Sequence, residues 1–171
     1  MVHRRRCEEA RGGGGRGGGR ATSRPARPPR LPASSLASET NVCYNCVDRH
    51  IEAGAGDTVA FYWEGNDEGT DSTMTYAQLH AAVGRAANWL RSAGVKKGDD
   101  VTLYMPMVPE LPVAMLACAR IGAVHSVVFA GFSADALAAR IADSKSAVVI
   151  TAAAVRRGAK PIPLKSVVDA A

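Results

Sequence analysis

The sequence predicts an α/β fold built on parallel strands, and three observations carry that prediction. Short apolar runs alternate with helical patterns in the second half of the chain. Three of these runs open at Val101, Val124 and Ala147, each 23 residues after the last. The segments between them begin with helix-start residues, Pro109-Glu110 in one case and Ser133 in the other. Strands that lack polar alternation are buried on both faces, which is the condition of a parallel sheet covered by helices. Right-handed crossovers would make such a sheet doubly wound.

The fold is expected to begin near residue 39. Of the 171 residues, 1–38 hold nine arginines against Glu8 and Glu9, and the rest hold 12 basic and 14 acidic side chains. The basic balance therefore belongs to a tail rather than to a folded surface, which argues against a nucleic-acid-binding domain. The tail is rich in Gly, Arg, Pro and Ser and has little to bury, so residues 1–38 are expected to be disordered. Its Arg/Gly run suits a flexible RNA-binding arm. Its Arg- and Ser-containing, acid-poor composition also suits an organelle transit peptide, with plastid or mitochondrion as destination and cytoplasm otherwise. No apolar run reaches the ~18 residues that a membrane helix needs. Four cysteines are too sparse for a disulfide scaffold.

Element by element, residues 41–53 read as a short amphipathic helix ended by Gly54. Residues 58–63 (T-V-A-F-Y-W) are strand-forming, and the polar residues 64–72 read as a loop. Thr75 and Gln78 form a capping box, after which Tyr76, Leu79, Val83, Ala86 and Leu90 make a core-facing helical stripe. Strands follow at Asp100–Met105, His125–Phe129 and Ala147–Thr151. Helices are expected from Pro109 to Ile121 and over Ala134–Ala142, the latter capped by Ser133. This divides the chain into the tail (1–38), a helix-and-strand segment (39–74) and the α/β portion (75–171).

Few residues in this pattern point to chemistry. Cys43-x-x-Cys46 lacks the second ligand pair of a zinc site and the strand-to-helix turn of a redox pair. Its spacing puts both thiols on one helical face as packing groups. His50 and His125 are expected to be structural. No phosphate-loop, nucleophile-elbow or H-E-x-x-H pattern occurs, and no metal-ligand set stands out. Two spots remain. Phe129-Ala130-Gly131-Phe132-Ser133 is a strand-to-helix turn, at the sheet edge where open α/β folds bind ligands. Arg156-Arg157-Gly158-Ala159-Lys160 places three cations in five residues beyond the third strand. Arg offers a forked contact to phosphate and Lys a point charge, although a solvated basic loop would read the same way.

Longer stretches resemble a known family. N-V-C-Y-N-C-V-D-R-H at 41–50, T-Y-A-Q-L-H at 75–80 and G-V-K-K-G-D at 94–99 are similar to acetyl-CoA synthetase (acetate–CoA ligase) of the adenylate-forming superfamily. So are Y-M-P-M-V-P-E-L at 104–111, the block 114–133, and R-R-G-A-K-P-I-P-L-K at 156–165. The resemblance implies the parallel-sheet portion of that superfamily's large N-terminal domain. It implies a two-step reaction: acetate attacks the α-phosphate of ATP to give acetyl-AMP and pyrophosphate, and the CoA thiol then displaces AMP. ATP, CoA and Mg²⁺ are the implied cofactors, small molecules the partners, without nucleic acid or membrane, and a monomer the implied state.

Carried over by position, the resemblance assigns Arg157, Gly158, Ala159 and Lys160, together with Phe129, Ala130 and Gly131, to the nucleotide end of CoA. Lys160 keeps a charge that many relatives carry as Lys or Arg, and Ala130 stands where some have Gly. The family's T-S-G-S-T-G-x-P-K-G phosphate loop does not occur in this sequence. The chain therefore reads as an N-terminal portion of such a ligase, inactive by itself and without catalytic residues of its own. A non-catalytic CoA- or nucleotide-binding module and a propionyl-CoA synthetase portion are the competing readings.

Overall fold

A computed structural model describes residues 40–157 and 160–171. The expected disorder of 1–38, and with it any targeting or RNA-binding role, lies outside the described residues, as do Gly158 and Ala159.

The chain enters through a π-helical turn, Tyr44–Asp48, which runs into α1 (Arg49–Glu52). A hairpin follows, β1 (Val59–Trp63) pairing antiparallel with β2 (Ser72–Thr75). Residues 64–72 are thus a hairpin loop whose last residue already belongs to a strand. Nothing in S-T-M-T announces β2, which is short and lacks aromatic or aliphatic β-branched residues. Thr75 then starts α2 (Tyr76–Ser92) with the expected reciprocal capping box to Gln78. Leu79, Val83, Ala87 and Leu90 are its buried stripe, with Ala86 only partly buried beside it.

The sheet follows the predicted beat. β3 (Asp100–Met105), β4 (Val124–Phe129) and β5 (Val148–Thr151) are parallel in the order β4-β3-β5. Between them lie α3 (Glu110–Ile121) and α4 (Ala134–Ser144). Pro109 sits one position earlier than expected, as the residue before the first helical turn of α3. Ser133 caps α4 by accepting from the Ala136 amide, and the helix runs two residues past Ala142 before Lys145 turns left-handed (φ 55°).

Only the central strand meets the two-sided burial that the sequence implied. Val101, Leu103 and Met105 of β3 face one core, formed with α2 and α3. Tyr104 faces a second core with Val128, Leu137 and Leu164. Thr102, completely buried, donates to Ser146 Oγ at 2.8 Å and so carries no unmet polar group. β4 departs from the expected buried strand: Val124, Val127 and Phe129 are about half exposed. Among the described strands it is the last on its side of the sheet, so one of its edges has no neighbouring strand.

The chain past β5 forms a second hairpin, β6 (Val155–Arg157) with β7 (Lys160–Ile162), and then α5 (Leu164–Asp169). The basic loop expected here is therefore a hairpin. Pro161 disguised it, because proline cannot donate to a ladder and is tolerated only at such edges.

Candidate functional site

The first spot singled out in the sequence, at Phe129–Gly131, and Arg156 of the second face one another across an open cleft of about 500 Å³. Its walls are the turn after β4, the loop between β1 and β2, the segment after β3 and the β6–β7 hairpin.

The turn is built by packing. Tyr104 donates its hydroxyl to the Phe132 carbonyl at 2.8 Å, and Phe132 N donates to the Phe129 carbonyl at 3.1 Å. The Phe129 and Phe132 rings meet edge to face with centroids 6.3 Å apart, and the Arg140 guanidinium lies 4.4 Å from the Phe132 ring centre. A Cβ at Gly131 would come within 2.7 Å of the Phe129 ring, so a side chain here would push that exposed ring aside. Phe129, Ala130 and Gly131 all line the cleft, with Ala130 buried and Phe129 exposed.

On the opposite wall, the backbones of Arg157 and Lys160 stand directly across from each other in the hairpin, Arg156 pairing with Pro161. Gly158 and Ala159, which connect the strands, lie outside the described residues. Lys160 is exposed. Arg156, one of the three clustered cations but not among those that the resemblance assigns to CoA, lines the cleft itself. Its guanidinium reaches Asp67 Oδ2 at 3.4 Å, and its backbone carbonyl accepts from Asn66 Nδ2 at 3.2 Å.

The third wall comes from residues that no motif marks. Trp63 donates its indole N–H to the Met107 carbonyl at 2.8 Å, joining the first hairpin to the segment after β3. A side chain at Gly65 would collide with Thr70, and Gly65 N also donates to Asp71 Oδ1 at 3.1 Å, so the loop folds tightly on itself. Glu64, Asn66 and Asp67 thereby reach the cleft. Sequence distance hid them, since Asn66 and Arg156 are 90 residues apart.

A second polar cluster lies elsewhere. Asp48 accepts twice from Arg120 Nη2, at 2.6 and 2.7 Å, and faces His80 Nε2 at 3.2 Å. Arg120 Nε also donates to Cys43 Sγ at 3.3 Å. This cluster binds the entry turn to α2 and α3. Burial pushes the Cys43 thiol above its ordinary range, against the lowering effect of Arg120, so it serves as a neutral packing group. Burial alone would lower the Arg120 value, but its contacts with Cys43 and Asp48 outweigh that and raise it. Cys46, expected on the same buried face as Cys43, is exposed, because the π-helical turn spreads the residues over a wider arc. His50 stacks on Tyr76 at 4.3 Å, a structural role as expected.

Among the described residues, no group of three or more His, Cys, Asp or Glu side chains is placed to hold a metal ion. No described helix is long and apolar enough to cross a membrane.

Residues 47–171 match the AMP-binding enzyme family. The chain is 61% identical over 132 residues to the acetyl-coenzyme A synthetase, chloroplastic/glyoxysomal, of Arabidopsis thaliana, covering 77% of this chain and 18% of that protein. Acetyl-coenzyme A synthetases of Rhizobium rhizogenes and Streptomyces coelicolor are each 60% identical, over 133 and 131 residues. Those matches cover 78% and 77% of this chain and 20% of each relative. The chain thus spans about a fifth of the length of the curated relatives it matches.

Proposed function

The chain belongs to the AMP-binding enzyme family, and from that premise we propose that it supplies part of an ATP-dependent acetate–CoA ligase, the part that receives the nucleotide end of CoA. The observation that carries this reading is the cleft itself, which brings the Phe129–Gly131 turn to the β6–β7 hairpin. The exposed Phe129 ring offers a stacking surface for a purine. The guanidinium of Arg156 and the neighbouring cations Arg157 and Lys160 offer partners for phosphates. The level of identity to acetyl-coenzyme A synthetases supports acetate as the acid.

The whole reaction activates acetate as acetyl-AMP and releases pyrophosphate before the CoA thiol displaces AMP. In this division of labour the chain binds and orients CoA, and the phosphate chemistry of ATP is performed by residues outside this sequence. Among the described residues, no group of three or more His, Cys, Asp or Glu side chains is placed to hold Mg²⁺. Residues 1–38 would act as an organelle transit peptide, a reading favoured by their arginines, or as an untargeted extension.

An NMR titration of the chain with CoA tests the reading. Amide shifts should concentrate at Phe129–Phe132 and Val155–Lys160, while acetate-dependent pyrophosphate release from ATP should be absent. Shifts confined to other surfaces, or no shifts at millimolar CoA, would overturn it.

A further inference from the structure

The cleft carries its own counter-ion. Its described lining holds two carboxylates, Glu64 and Asp67, and one guanidinium, Arg156. Asp67 and Arg156 meet at 3.4 Å, longer than the roughly 2.7–2.9 Å of a strong charge-assisted contact. Both side chains are about two-thirds exposed, 66% and 67%, so their attraction is screened and weak. Only Nη1 of Arg156 is engaged by Asp67. The loop, meanwhile, is held to the hairpin by a different bond, Asn66 Nδ2 to the Arg156 backbone carbonyl. Losing the ion pair therefore leaves the cleft wall attached.

We propose that Asp67 is an internal competitor for the anionic ligand of this cleft, occupying Arg156 until a phosphate of CoA takes its place. The proposal rests on the CoA reading above. In the empty cleft, Asp67 holds the guanidinium toward the cleft and neutralises it. A phosphate offers two or three acceptor oxygens to the same planar fork, so the exchange favours a doubly charged ligand over a single carboxylate. The pair sets a threshold: phosphorylated ligands displace Asp67, and monocarboxylates and neutral compounds do not. Arg156 is thus a specificity-determining residue additional to Arg157 and Lys160.

The test is a double-mutant cycle of Asp67→Asn and Arg156→Ala, read by the dissociation constant of CoA on the full 171-residue chain at low ionic strength. Asp67→Asn should tighten CoA about two- to fivefold, the range open to an exposed charge pair. Arg156→Ala should weaken it at least about threefold, and adding Asp67→Asn to that variant should restore almost nothing. Pantetheine, which lacks the nucleotide phosphates, should show no gain from Asp67→Asn. A gain that persists in the Arg156→Ala background, or no gain at all, would overturn the competitor role while leaving the CoA site intact. Absence of CoA binding by the unaltered chain would overturn both. Amide spectra of each variant verify that the fold is unchanged, and the Arg156 side-chain N–H resonances of the unaltered chain should move when CoA is added.

Discussion

Tyr104 of β3 donates its hydroxyl to the carbonyl of Phe132, 2.8 Å away. One central-strand side chain thereby clamps the turn that leaves the adjacent strand, and that turn forms a wall of the cleft. The ring is 1% exposed and packs in the second core with Val128 and Leu137. Shape and hydrogen bond are therefore separable by mutation.

Tyr104→Phe keeps the ring and leaves the Phe132 carbonyl without this donor. Thermal unfolding should show a loss of about 0.5–1.5 kcal/mol, and CoA-induced amide shifts at Phe129–Phe132 should shrink. An unchanged melt together with unchanged shifts would mean that the turn is held by its own aromatic pair.

Asp48 and Arg120 offer a second test. Their two-bond contact ties the π-helical turn to α3 and is three-quarters buried on both sides, with 25% and 24% of each side chain exposed. Arg120→Ala should cost about 1.5–3 kcal/mol, because Asp48 and Cys43 both lose a donor. A double-mutant cycle with Asp48→Asn should show strong coupling, and additive losses would reduce the cluster to ordinary packing.

Alkaline pH should destabilise the fold. Burial raises Cys43, Cys118 and Tyr104 above their ordinary values of 9.0 for the thiols and 10.0 for the phenol. Groups whose value is higher folded than unfolded keep their full contribution below the unfolded value and lose it as pH climbs toward the folded one. The melting temperature should therefore fall as pH rises past about 9, the ordinary thiol value. Cys118→Ala, though less stable overall, should show a shallower fall.

The edge strand β4 predicts self-association. Val127 and Phe129 are 47% and 59% exposed on a strand with no charged residue, a pattern that favours pairing with another chain. Val127→Lys should lower aggregation, measured by light scattering on concentration, with little change in melting temperature. Unaltered scattering would place the sticky surface elsewhere.

Arg157→Ala should weaken CoA about ten- to a hundredfold if each charged phosphate contact contributes about 1.5–3 kcal/mol. The same variant should discriminate less between CoA and dephospho-CoA. Equal discrimination in both proteins would return the hairpin to a solvated basic turn.

By itself the sequence determined the alternating strands and helices, the Thr75 and Ser133 caps and the Phe129–Gly131 turn. Those features depend on neighbours within a few positions, where periodicity and capping chemistry act. It also marked the cations of 156–160, since a charge cluster is visible wherever it lies. Tertiary structure alone decided the rest. It made β4 an exposed edge, because strand order is a matter of which strands pair and not of composition. It turned the basic segment into a hairpin, because antiparallel pairing offset the weak strand character of a segment containing Pro161. And it drew Asn66 and Asp67 to Arg156, because a contact across some 90 residues exists only once the sheet has brought two distant loops to the same edge.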